Sequence, residues 1–478
     1  MSRLFNAMTT GDTRTENGMI TNSTTSNNVL DMFFKMGGSR NMSERDIERM
    51  FSLAYNENKS LALKALFYNR DVREGQGERR SFRIMFKWLC ENDPETAKRL
   101  VQYVPEFGRW DDLLVGLYST VARTIADFIL FSIKRGDKLC AKWMPRENKS
   151  GRDYAHILMA GWNLTGKKYR RLLAGNTQVV ETLMCQNEWS AINYNQVPSK
   201  ASHKYRNAML KHDELRYREW LGNLSKVDEK GKPLAKVNAG AIFPHDVIRP
   251  LLIGSVRNVS DEMIEAQWKA LPNYSPSGLK VLPICDISGS MSMGGGLPLL
   301  VSVSLGIYTS ERNKGIFKNG FITFSRVPTL VTLNGRTLSE KIAQFRIGSL
   351  AENTDLGAVF KLILRSAVNN QVPESDMPDT LLILSDMQFD STYAVTNADV
   401  SAVEMARRMY REHGYKLPNI IFWNLNTLSG IPVKYTDAGV AVVSGFSPSI
   451  LKSILNGEID PIKQMLAVLL SERYAVIA

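Results

Sequence analysis

The sequence predicts two architectures in one chain, an all-α helical-repeat ring or solenoid followed by a doubly wound α/β domain. Three observations predict it. Between residues 41 and 240, short helical patterns follow one another with brief breaks and almost no strand-like alternation. From residue 281 onward, six apolar runs of strand length alternate with helical stretches. Charge divides at the same place. The 478 residues carry a net charge of +12, yet residues 281–478 hold 17 Lys and Arg against 17 Asp and Glu, so the whole excess belongs to the first 280. A basic half joined to a neutral half suggests that the first meets a polyanion.

Residues 1–40 are polar and turn-rich, with one short amphipathic segment at 29–36, and read as an N-terminal extended segment. They lack the apolar core of a signal peptide, and no apolar run is long enough to span a bilayer, so a cytoplasmic protein without membrane contact is expected. Ser43 followed by Asp46 forms a near capping box, with Ile47, Met50, Phe51 and Ala54 behind it at helical spacing. Further helices are expected at 60–68, 79–89, from Asp93-Pro94 with proline at the first helical position, at 111–118, 121–134, and as one long helix at 201–221. Helices of two to four turns with short breaks suit an irregular, HEAT-like repeat domain over 41–278. Proline and glycine punctuate residues 237–277, placing the domain junction near 255–278.

Beyond the junction, 281–285, 321–324, 329–333, 380–384, 419–423 and 439–443 read as strands. Helical stretches at 298–309, 355–368, 402–413, 448–455 and 461–474 fill the gaps, making 279–478 the second domain. Residues 329–333 follow one short turn after 324 and suit an antiparallel edge. At the tip of the first strand stands Asp286-Ile-Ser-Gly-Ser290, where ligands bind in a parallel α/β sheet. Asp286, Ser288 and Ser290 can converge as hard oxygen ligands for a small divalent cation. Thr354, at a natural N-cap, and Asp386, ending an apolar strand, can complete the site if the strands of Asp286 and Asp386 are neighbours. Such a donor set favours Mg²⁺, with Mn²⁺ or Ca²⁺ as alternatives. Four scattered cysteines and five histidines without ligand spacing argue for neither a disulfide framework nor a zinc site.

This constellation resembles the metal-ion-dependent adhesion site of von Willebrand factor A domains. The resemblance implies direct ligation by Ser288 and Ser290, ligation by Thr354 directly or through water, and water-mediated roles for Asp286 and Asp386. Asn353 stands where the family commonly has glycine. Such a site leaves a coordination position for a partner's carboxylate. Hydrolytic readings fit less well: an aspartyl-nucleophile phosphatase would have a second Asp at 288, and no His, Lys or Tyr near either motif completes an acid–base pair. A non-enzymatic docking device is expected.

A helical-repeat region joined to such a domain resembles the Ro autoantigen family, whose TROVE module is a helical ring that binds small structured RNAs. The sequence is more similar still to an uncharacterised Ro-like family of plants, large DNA viruses and phages, through Thr15-Glu-Asn-Gly18, Arg73-Glu-Gly-Gln-Gly-Glu-Arg79, Ala141-Lys-Trp-Met-Pro145, Tyr169-Arg-Arg-Leu-Leu173, Glu188-Trp-Ser-Ala-Ile-Asn-Tyr-Asn-Gln-Val-Pro-Ser-Lys200, Lys211-His-Asp213 and Ala239-Gly-Ala-Ile-Phe-Pro-His245. A viral member would work in the host cytoplasm. The resemblance implies structured or single-stranded RNA as partner. Lys167, Lys168, Arg170 and Arg171 flank Tyr169, a candidate stacking ring. Lys200, His203 and Lys204 lie among small residues, and Arg73, Arg79 and Arg80 flank a Gly75/Gly77 loop whose N–H groups can hold a phosphate. Each basic cluster equally reads as a solvated helix face, and Trp110, Trp143, Trp189 and Trp220 read as packing residues. The alternative to RNA binding is a protein scaffold that uses the metal site to bind an acidic partner.

Overall fold

The structure is a computed structural model that describes residues 12–14, 20–22, 25–147, 150–253, 262–274, 280–292, 295–324, 328–345, 347, 355–387, 389, 402–426, 439–448, 450–451 and 460–477. Among them, no helix is long and apolar enough to cross a membrane. The helical half begins with Asn28–Lys35, Glu44–Glu57, Lys59–Arg70 and Arg80–Asn92, and continues through Gly166–Asn176 around one apolar core that includes Phe51, Phe67, Phe82, Phe107, Ile129 and Leu158. The caps are local. Ser43 accepts from Asp46 N at 3.2 Å and donates to its carboxylate at 2.6 Å, while Asp93 caps the helix that opens on Pro94. The long helix expected at 201–221 is instead two, Ser199–His212 and Glu214–Asn223. Asp213 breaks it, because its carboxylate accepts from Tyr194 Oη at 2.6 Å and from Arg216 at 2.7 Å. A second, smaller core (Ile192, Tyr194, Met209, Tyr217, Trp220) forms around that corner.

The other half is a six-stranded sheet: β1 Val281–Cys285, β2 Gly320–Thr323, β3 Thr329–Thr332, β4 Thr380–Ser385, β5 Asn419–Asn424 and β6 Val440–Ser444. Its order is β3-β2-β1-β4-β5-β6, parallel throughout except for β3, which pairs antiparallel at the edge. Side chains alternate between two buried faces. Cys285, Leu384, Trp423 and Val443 face the helix Leu297–Arg312, whereas Ile284, Ile383, Phe422 and Val442 share a core with residues of Leu356–Asn369 and Ala402–Glu412. Both faces covered explains why these strands read as continuous apolar runs. From β1 the chain moves one way to β2 and β3, then returns to the far side of β1 as β4. The crevice between β1 and β4 is therefore the topological switch point.

The two halves interlock, with contacts that run across the divisions expected at 40/41 and 278/279. Within the N-terminal segment, Asn28–Lys35 and the 3₁₀ turn Met36–Asn41 are helical, and Gly37 donates to Ser444 Oγ at the end of β6. Ile248, Ile264 and Trp268, from Pro244–Leu252 and Glu262–Ala270, pack on a sheet face. Conversely Met465, Leu469, Tyr474 and Ile477 join the helical core. Buried apolar faces thus join segments that are far apart in chain order.

Candidate functional site

Strands β1 and β4 pair in register from Val281↔Thr380 to Cys285↔Leu384, and Asp286 N donates to Leu384 O at 2.9 Å. Asp286 and Asp386 thus leave adjacent strand ends at the switch point, both buried. One Asp286 oxygen accepts from Ser288 N at 2.9 Å, and the other accepts from Ser385 Oγ at 2.6 Å. The Ser288 and Ser290 hydroxyls lie 3.0 Å apart, Ser288 buried and Ser290 half-buried. Burial, together with the neighbouring Asp386 charge, pushes the Asp286 carboxyl up to about 6, while the bonds from Ser385 and Ser288 pull it down. Two buried carboxylates beside two hydroxyls are a hard-oxygen set whose mutual repulsion a divalent cation would relieve, so the residues present fit Mg²⁺. Thr354 lies outside the described residues. The helix it was expected to cap, Leu356–Asn369, is capped instead by Asp355, whose carboxylate accepts from Ala358 N at 2.9 Å. Asp is as good a cap as Thr, and one residue decides the register.

The basic residues fall into three groups. Lys167, Lys168, Arg170 and Arg171 are exposed on Gly166–Asn176, with Tyr169 and Leu173 buried on the opposite face. Tyr169 is no stacking platform: its ring is in the core and its hydroxyl donates to Pro145 O at 2.8 Å. Arg170 pairs with Glu147. Lys200 and His203 are engaged, Lys200 with Asp246 at 3.1 Å and His203 with Gln267 at 2.9 Å, and burial lowers the His203 pKa; Lys204 is exposed beside the Tyr205 ring. The glycine loop holds no phosphate cradle. Gln76, Gly77 and Glu78 donate their N–H groups to Tyr68, Asp71 and Asn69 carbonyls, closing the helix Lys59–Arg70. A Cβ on Gly75 would sit 2.1 Å from Tyr68 O, which is why glycine stands there. Arg73 donates to Glu106 O and Arg80 to Met42 O, each bracing the loop; Arg79 is exposed and differs from both.

Residues 15–127 and 118–273 match the family described as Domain of unknown function (DUF2828), and residues 280–471 match Domain of unknown function (DUF7788). Uncharacterized protein L728 of Acanthamoeba polyphaga mimivirus is 30% identical over 512 residues, spanning 95% of this chain and 86% of the viral protein. The chain belongs to the DUF2828 family. Among solved structures, the crystal structure of Deinococcus radiodurans RO (RSR) protein is similar at 15% identity and a TM-score of 0.46, covering 93% of this chain and 99% of that one.

In this DUF2828 chain, two groups of polar residues escaped the sequence reading, and a third was read only in part. Ser385, which with Asp386 matches the Ser/Thr-Asp pair of the adhesion-site resemblance, orients Asp286 and accepts from Met387 N at 3.0 Å, a contact the pair does not itself signal. Gln76 joins the halves by donating to Phe33 O and Ser444 Oγ, both at 3.0 Å. Asp71, fully buried, accepts from Arg473 Nε at 2.7 Å and Nη2 at 3.0 Å and from Tyr474 Oη at 3.1 Å. Those contacts span some 400 positions, beyond any local pattern.

Proposed function

We propose that this chain is a non-enzymatic, Ro-like RNA-binding protein of the cytoplasm, with a HEAT-like helical ring that contacts structured or single-stranded RNA. Its second half acts as a von Willebrand factor A-type docking module. The observation that carries the reading is the confinement of the +12 excess to residues 1–280, with the exposed face of Lys167, Lys168, Arg170 and Arg171 opposite a buried Tyr169. A polyanion gains from such a face through counterion release, without needing base contacts.

In the second half, Asp286, Ser288, Ser290, Thr354 and Asp386 would hold Mg²⁺, which when bound offers an open position to an acidic side chain of a protein partner. Asp286 is oriented for this by Ser385 and Ser288, and the neutral charge of the half suits a protein partner better than a nucleic acid.

The test is fluorescence anisotropy with a labelled structured RNA across a salt series. Reversing the charges at Lys167, Lys168, Arg170 and Arg171 should flatten the log–log salt slope by about 3, at roughly 0.7–0.9 per lost phosphate contact. Protein purified with and without RNase should differ in its 260/280 absorbance ratio. Binding that ignores both salt and those charges, with no co-purified RNA, would leave the protein-scaffold reading in its place.

A further inference from the structure

The helical half contains an ion network that closes with one sign in excess. Asp112 is fully buried and accepts from Arg70 Nε and Arg83 Nε, both at 2.7 Å. Asp111 takes Arg109 in a two-point contact, Nε at 2.9 Å, and the same guanidinium lies 3.8 Å above the Trp143 ring. Arg83 Nη2 also sits 2.8 Å from Asp111, but at an angle that leaves this buried nitrogen without a hydrogen-bond acceptor. The fourth guanidinium is Arg79, the N-cap of the helix Arg80–Asn92, four residues before Arg83. No described carboxylate lies within ion-pair distance of it; partial burial and then the Arg109 and Arg83 charges lower its pKa, while the more distant Asp111 and Asp112 pull it back up.

Four guanidiniums therefore face two carboxylates, a local surplus of two positive charges. Both carboxylates hold arginines in place: Arg109 is clamped by Asp111 and stacked on Trp143, and Arg83 is anchored through Asp112. Like charges gathered in excess of their counter-charges raise the energy of the folded state, and an anion relieves that cost by accepting several charge-assisted bonds at once. A planar fork suits phosphate oxygens, and a surplus of two suits a dianion better than the single charge of a phosphodiester.

We propose that Arg79, Arg83 and Arg109 bind a phosphate monoester dianion, presented by free phosphate or by the phosphorylated end of an RNA. The site goes beyond the RNA-binding reading and does not require the basic face of Gly166–Asn176. Arg79 closes on the ligand; Arg83 and Arg109 are the pre-set walls.

The experiment uses the full chain. Thermal melts compare inorganic phosphate with chloride at equal ionic strength, and anisotropy compares one oligoribonucleotide carrying a 5′-phosphate with the same oligomer ending in a 5′-hydroxyl. Wild type should melt higher in phosphate and prefer the phosphorylated oligomer by about tenfold, the size of one charge-assisted contact. In Arg79→Gln both differences should vanish, while a chloride melting point at or above wild type shows that the variant folds. An Arg79→Gln protein that keeps both differences overturns the proposal, as does a wild type that shows neither. RNA binding without end preference or phosphate shift overturns this site and leaves the RNA reading standing. An Arg79-dependent phosphate shift without RNA binding supports the site for free phosphate and removes the RNA reading.

Discussion

The switch-point loop and the arginine network apply the same physics with opposite sign. At the sheet edge, Asp286 and Asp386 are brought together by strand pairing and surrounded by hydroxyls. In the helical half, Arg70, Arg83 and Arg109 converge on Asp111 and Asp112, with Arg79 close by and in no ion pair. The difference lies in what holds each group. Backbone register alone sets the two carboxylates side by side, so that site needs only short side chains. The arginines are long and flexible, and two carboxylates have to pin them. A cation site can thus be built from strand ends, whereas a cluster of guanidiniums needs an internal counter-charge and is left in surplus.

The largest expected effect breaks the arginine side. Asp112→Ala leaves Arg70, only 3% exposed, without its partner and should cost about 3–5 kcal/mol in urea-monitored stability. Asp111→Ala, which strands more exposed arginines, should cost less; equal losses would show that burial does not separate the two aspartates.

Outside both regions, His245 is buried beside Asp246 and edge-on to Phe446 at 5.7 Å. Burial holds its pKa down at about 4. With a folded value below the unfolded one, its contribution to stability is full above roughly pH 6.5 and is lost as pH falls toward 4. His245→Phe should flatten that acid limb by up to about 3 kcal/mol; an unchanged limb between pH 6.5 and 4 would assign it elsewhere.

On the carboxylate side, Mg²⁺ at a hundred times its dissociation constant should add about 2.7 kcal/mol to the stability of wild type. Asp386→Asn and Ser288→Ala should each lose most of that gain in calorimetry, and a gain that survives both would exclude the loop as the site. The smallest effect sharpens the contrast. Arg79→Gln removes a charge from the surplus and should raise stability slightly, by less than about 1 kcal/mol; a clear loss would mean Arg79 has a structural partner.

Much of the switch-point loop's place in the fold was legible, because each part is a local signal. Val281–Cys285 is a run of strand length, Asp286 follows it, and Leu381 to Leu384 with Asp386 repeat the pattern. The edge strand after residue 324 was legible for the same reason, and it pairs antiparallel with β2. The glycine loop was misread because Gly75 and Gly77 signal a special backbone without saying what the freed N–H groups meet; they meet the end of the preceding helix. Tyr169 was misread because a ring amid cations fits stacking and burial equally well until the helix phase is set.

The sequence by itself determined the two architectures, the division of charge and the type of donor at the strand tip, all properties of periods of 2.0 and 3.6 or of simple counts. Only the tertiary structure decided that Ser385 orients Asp286, that Gln76 and Asp71 bind the ends of the chain, and that Arg79 stands near Arg83 and Arg109 with no carboxylate among the described residues in ion-pair reach. Pairing of polar groups depends on which atoms are within 3 Å after the apolar faces have packed, and packing joins residues that no local period relates.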